Sequence, residues 1–198
     1  MTARGRPREF DTDAALDRAI DVFWRQGYSG TSLTDLTEAM QISRPSLYAA
    51  FGNKEETFKR AVDRYTLIDM GYVDDALAEP TAREVARRYL SDNVVAVTTP
   101  GRPPGCLSIP GGLAAGPDDA RVVRFHAERR AVGEARFAER FARAIAEGDL
   151  PAFERPRDLA KYLSTVSAGL AVQAAAGASR RELAHVAERA LAAFPGGA

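Results

Sequence analysis

Three helix-start signals crowd between Thr31 and Lys54, and they leave room only for helices too short to be stable alone. Thr31 or Ser32 caps the first, with Asp35 three residues after Ser32 as the acid of a capping box and Leu33, Leu36 and Met40 as its apolar side. Gln41 and Ile42 then lead at once into Ser43 followed by Pro45, a hydroxyl cap and a proline in the first turn, where its missing amide costs nothing. Phe51-Gly52-Asn53 makes the next turn, and Lys54 opens a helix through Phe58, Val62 and Tyr65 that is expected to reach Leu77. Ahead of them, Asp11 or Asp13 caps a helix with Leu16, Ile20 and Phe23 at i, i+4, i+7, expected to close at Gly27 before a turn at Tyr28 and Gly30. The two short helices must therefore be held by packing on the longer helices either side.

Helical period continues beyond this unit. Thr81 to Glu84 is a capping box ahead of Val85, Tyr89, Leu90 and Val94. Residues 98–117 break the pattern with five prolines among glycines, a loop with at most a short helix near Leu107 to Ala115. The period resumes from Asp118 through Val122, Phe125, Val132, Phe137, Phe141 and Ile145 and stops at Gly148 and Pro151. Further helices are expected from Arg157 to Ala176 and after the capping box Ser179 to Glu182. Neither a strand signal nor an internal repeat is found, so the expected class is all-α.

Composition narrows the function. Over 198 residues the chain is 45% hydrophobic and 27% charged, which excludes disorder as the main state. A single cysteine, Cys106, excludes an internal disulfide or a thiolate metal cage, and His126 and His185 lack partners at ligand spacing, so no metal is expected and both histidines are read as surface groups. The charged start and the absence of about 20 consecutive apolar residues argue against a signal peptide and a membrane span, and the lone cysteine makes a reducing cytoplasm the expected home. The net charge is +0, and residues 1–64 hold ten basic and ten acidic side chains. Any affinity for nucleic acid must then come from segregation: acids on the first helix, with Arg4, Arg6, Arg8, Arg44 and Lys54 sharing another face.

Short helix, tight turn, short helix is the layout of a helix-turn-helix, in which the second helix enters the major groove and the first braces it. Arg44 is the long donor at the exposed start of the third helix, able to reach guanine O6 and N7 together, and Ser46 can donate to a base edge or a phosphate. Ser43 caps the same helix end; Thr31, Ser32, Tyr48 and Lys54 are placed to clamp phosphates. Tyr48 has the alternative of an ordinary core aromatic, although Leu47 is the better core candidate.

The string Phe23-Trp-Arg-Gln-Gly-Tyr-Ser-Gly-Thr-Ser-Leu33, then Ile42-Ser-Arg-Pro-Ser-Leu-Tyr48, then Phe51-Gly-Asn-Lys-Glu-Glu56 resembles the DNA-binding domain of TetR-family transcriptional repressors. The resemblance implies phosphate contacts at Thr31, Tyr48 and Lys54 and base-reading positions at Arg44, Pro45 and Ser46; Pro45 departs from the small residue usual there. It further implies a helix-turn-helix domain over residues 1–66, joined by a long helix to an effector-binding and dimerisation domain over residues 67–198. Its partners would be a pseudo-palindromic double-stranded DNA operator, a small-molecule effector and a second copy of the chain. Candidates for the effector site are Tyr65, Tyr89, Cys106, Phe125, Tyr162 and Val166; the aromatics among them have plain core packing as the alternative, and Cys106 a structural thiol. Candidates for the dimer interface are Leu163, Leu170, Leu183, Val186 and Leu191 on the last two helices. The competing readings are a helical interaction module and a small helical enzyme. The enzyme reading lacks a phosphate loop, a Gly-x-Ser-x-Gly elbow and enough His and Cys, so neither catalysis nor a cofactor is expected.

Overall fold

The computed structural model describes residues 10–109 and 119–196. The basic arm at Arg4, Arg6 and Arg8 lies outside them, as does most of the short helix expected up to Ala115. All regular structure among the described residues is helical: α1 (Thr12–Gly30), α2 (Leu33–Met40), α3 (Arg44–Phe51), α4 (Lys54–Asp69), α5 (Tyr72–Leu77), α6 (Ala82–Val97), α7 (Ala120–Ala146), α8 (Pro156–Ala175) and α9 (Arg180–Ala192). No helix among them is long and apolar enough to cross a membrane.

Local chemistry sets the boundaries. Asp11 Oδ1 accepts from the amides of Asp13 at 2.9 Å and Ala14 at 3.2 Å, which settles the cap of α1. Reciprocal capping boxes start α2 (Ser32 with Asp35), α4 (Asn53 with Glu56), α6 (Thr81 with Glu84) and α9 (Ser179 with Glu182). Two expectations change. α1 runs on to Gly30 through a kink at Gly27 (φ 71°), because the hydroxyl of Thr31 and its amide bond back to Gly27 O and Tyr28 O and keep the last turn wound. The helix expected from Lys54 to Leu77 breaks at Met70 and Gly71, and α5 packs against α6 instead of prolonging α4.

Two hydrophobic cores result. One is formed by α1–α4, where α1 and α4 are knit by aromatic edges: Phe23 to Phe58 at 4.9 Å between centroids and Trp24 to Tyr65 at 5.0 Å. Leu36 and Met40 of α2 and Leu47 of α3 sit fully buried in it, so helices too short to be stable alone are fixed by tertiary packing. The other is formed by α5–α9 and is mainly aliphatic, with Val85, Leu90, Leu163, Leu170 and Leu183 at its centre.

The division between the cores does not follow chain order. Leu107 from the loop after α6 and Val122 from α7 are buried in the first core, and Cys106 packs against both. His126 of α7 lies against Phe58 at 5.2 Å and is only 2% exposed, which corrects its reading as a surface histidine. Burial there, with the charge of Arg130, pushes its pKa down to about 4, so the imidazole is neutral. Ion pairs Arg129–Asp63, Arg102–Asp69 and Arg121–Glu55 fasten the same seam.

Candidate nucleic-acid interface

α2 ends in Gln41, held in the left-handed conformation (φ 57°, ψ 42°), with its amide bonded to Glu38 O and that of Ile42 to Thr37 O. The chain thereby turns within two residues, and Ser43 opens α3 by accepting the amide of Ser46 at 3.2 Å. Leu47, Ala50 and Phe51 face the core, which leaves Arg44, Pro45 and Tyr48 on the opposite, exposed side. Tyr48 is 51% exposed, so the core alternative for it falls and the expectation for Leu47 holds.

The polar groups of this face have defined partners. Arg44 Nη2 donates to Thr34 Oγ1 at 2.8 Å, so the guanidinium is propped by α2 across the turn. Ser43 and Ser46 share a hydroxyl contact at 2.9 Å. Lys54, at the start of α4, holds its ammonium 4.3 Å from the centre of the Tyr28 ring. Partial burial lowers its pKa, and the charge of Asp119 works against that shift. Ser32 is exposed and locked in its capping box, whereas Thr31 is 1% exposed with its hydroxyl donated to Gly27 O at 2.6 Å. Of the two adjacent hydroxyls offered as phosphate contacts, only that of Ser32 therefore reaches the surface.

The acids of α1 are occupied. Arg64 bonds both carboxylate oxygens of Asp17, holding that carboxyl below its ordinary pKa, and also pairs with Asp13; Arg102 lies 3.8 Å from Asp21. The first helix thus spends these acids on Arg64 and Arg102; the arm arginines on which the expected segregation of charge depends lie outside the described residues.

The other sequence-derived candidates divide. Tyr65 donates its hydroxyl to Cys106 Sγ at 3.3 Å, and Tyr89 stacks beside Tyr72 at 6.1 Å, so these residues meet near the junction of the two cores. Phe125 does not join them: it packs on the first core between Lys59 and Arg129. Tyr162 spends its hydroxyl on Ala190 O at 2.8 Å, binding α8 to α9, and Val166 packs on the second core. Leu163, Leu170 and Leu183 require correction as interface residues, since each is no more than 2% exposed within the chain's own core. Val186 is 52% exposed and Leu191 half-buried, and Val172, which the sequence reading missed, adds a further exposed apolar residue on α8. Thr34 was missed too; only its place opposite Arg44 across the turn singles it out.

Comparison with known proteins agrees with this architecture. Residues 15–61 match the model for bacterial regulatory proteins of the tetR family. The chain is 33% identical over 98% of its length to the HTH-type transcriptional repressor ComR of Escherichia coli K12, covering 93% of that protein. It is 29% identical over 90% of its length to the HTH-type transcriptional repressor BdcR of the same organism, covering 86% of it. Among solved structures, a cysteine mutant of the TetR family transcriptional regulator CifR, complexed with 26bp double-strand operator DNA, superposes with a TM-score of 0.91 at 44% identity, over 96% of this chain and 100% of that one. The chain belongs to the tetR family of bacterial regulatory proteins.

Proposed function

We propose that the chain is a sequence-specific transcriptional repressor that binds a pseudo-palindromic operator as a homodimer and leaves it when a small molecule binds where the second core meets the first. The single observation that carries this reading is the α2–turn–α3 unit, whose buried side is locked and whose free side presents Arg44, Pro45 and Tyr48, with Lys54 opening the next helix. Arg44 and Pro45, with half-buried Ser46, meet base edges, while Ser32, Tyr48 and Lys54 contact phosphates. The operator complex of its relative CifR supports the DNA-binding reading.

Dimerisation runs through the outer faces of α8 and α9, where Val172 and Val186 stay exposed. Two copies of α3 then read half-sites about 34 Å apart. The effector acts near Tyr65, Tyr89 and Cys106, where the two cores meet, and its effect on operator affinity is a coupling of about 1–3 kcal/mol, felt equally in both directions. No catalytic step is part of this account.

Selection of bound duplexes from a random DNA library by the purified full chain tests it. Enrichment of a two-fold related sequence is expected. Failure of a folded dimer to enrich any sequence would favour a helical interaction module instead.

A further inference from the structure

The start of α7 places a carboxylate beside the residues proposed to hold phosphate. Asp119 stands immediately before α7, and its Oδ2 accepts the hydroxyl of Ser29 at 2.5 Å. Ser29 follows Tyr28, the residue whose ring holds the Lys54 ammonium at 4.3 Å. Two residues along α7, Arg121 lies 3.8 Å from Glu55, which is next to Lys54 in the chain. The first turn of α7 is thus seated against the first turn of α4, at the point where the proposed phosphate clamp is mounted.

We infer that Asp119 competes with DNA phosphate for Lys54, so that the position of α7 sets how strongly the clamp holds DNA. A phosphate and a carboxylate are both anions seeking the same ammonium, and each weakens the other's hold on it. Two groups respond to the Asp119 charge: it favours the charged form of Lys54 and opposes ionisation of Tyr28. Asp119 makes no capping bond to its own helix, so its side chain is not needed to start α7. Motion of α7 toward Lys54 weakens binding to DNA of any sequence, and motion away strengthens it, which gives the effector a route to the operator that leaves the base-reading residues untouched. This inference rests on the DNA-binding reading above.

The test is a double-mutant cycle on the full chain, with wild type, Asp119→Asn, Lys54→Ala and the double variant titrated against the selected duplex and a shuffled duplex of equal composition. Asp119→Asn should tighten both complexes by about 5-fold at low salt, a gain that shrinks as salt rises, and by less than about 2-fold when Lys54 is already alanine. Unchanged or weaker binding by a folded Asp119→Asn variant would overturn the inference. An equal gain in both backgrounds would overturn it as well, since Asp119 would then act through net charge and not through Lys54. If wild type and variants bind neither duplex, the DNA-binding reading itself fails and the inference goes with it.

Discussion

The two cores bury polar groups of different kinds. The first, built by α1–α4 with the start of α7 packed on it, buries small or neutral ones, Thr31, Thr57 and the His126 imidazole, and keeps Arg44, Tyr48 and Ser32 on an exposed face. The second draws polar groups inside: Asn93 is 4% exposed and donates to the Tyr72 hydroxyl at 3.0 Å, while Arg140 is 5% exposed and donates to the carbonyls of Glu79 and Pro80. Burial pushes the phenols of Tyr72 and Tyr89, and of Tyr65 across the junction in the first core, above their ordinary range, so these hydroxyls stay protonated; Tyr65 donates to Cys106 Sγ, while Tyr72 accepts from Asn93. The contrast teaches where each region can meet a ligand. A large, rigid polyanion is met on a surface by groups already in water; the effector of the proposed function would instead need interior polar groups to meet it.

The contrast can be broken by experiment. Leu47→Ala empties the fully buried anchor of α3 and should cost about 2–5 kcal/mol, read by urea unfolding. A smaller loss would mean that α3 is not held by this core. His126→Phe probes the seam. The histidine has a pKa of about 4 when folded and 6.5 as its ordinary value, so the unfolded chain takes up its proton first as pH falls. Its contribution is therefore complete above pH 6.5 and is lost progressively toward pH 4, by roughly 1–3 kcal/mol. The phenylalanine variant should flatten that fall in a pH series of melts; an unaltered slope would remove His126 from it. The smallest effect concerns Thr34, which props Arg44. Thr34→Ala should lower base discrimination by about 0.5–1.5 kcal/mol without changing the salt slope, and Thr34→Ser should restore it. Equal base preference in all three proteins would show that the prop is incidental.

How much of this was legible in the sequence follows the range of the interactions. The caps at Ser32, Ser43, Thr81 and Ser179 are local signals, and each lies where the residues indicated. The helix-turn-helix was readable for the same reason, since its turn and both helix starts fall within one short stretch. What was not readable depends on contacts made far along the chain. Periodicity identified Leu163, Leu170 and Leu183 as apolar but not whether another helix or another subunit covers them. His126 is buried because α7 docks on Phe58 of α4, a contact that no local pattern encodes. The end of α4 at Met70 carries no proline, and the break is set by the packing of α5 on α6. Thr31 reads as an exposed cap from its neighbours alone, and the kink at Gly27 is what brings a carbonyl to its hydroxyl.

The central claim is that α3 reads bases while Lys54 holds the backbone. The most direct test is a salt-resolved titration of Arg44→Ala and Lys54→Ala against the selected operator and versions of it changed one base at a time. The account predicts that Arg44→Ala loses about 1–3 kcal/mol on the operator and relaxes preference at one base of each half-site. It predicts that Lys54→Ala weakens every duplex alike and makes the salt dependence shallower by about one counterion for each phosphate that the shortened side chain no longer reaches. An unchanged base preference in Arg44→Ala, or an unchanged salt slope in Lys54→Ala, would contradict it.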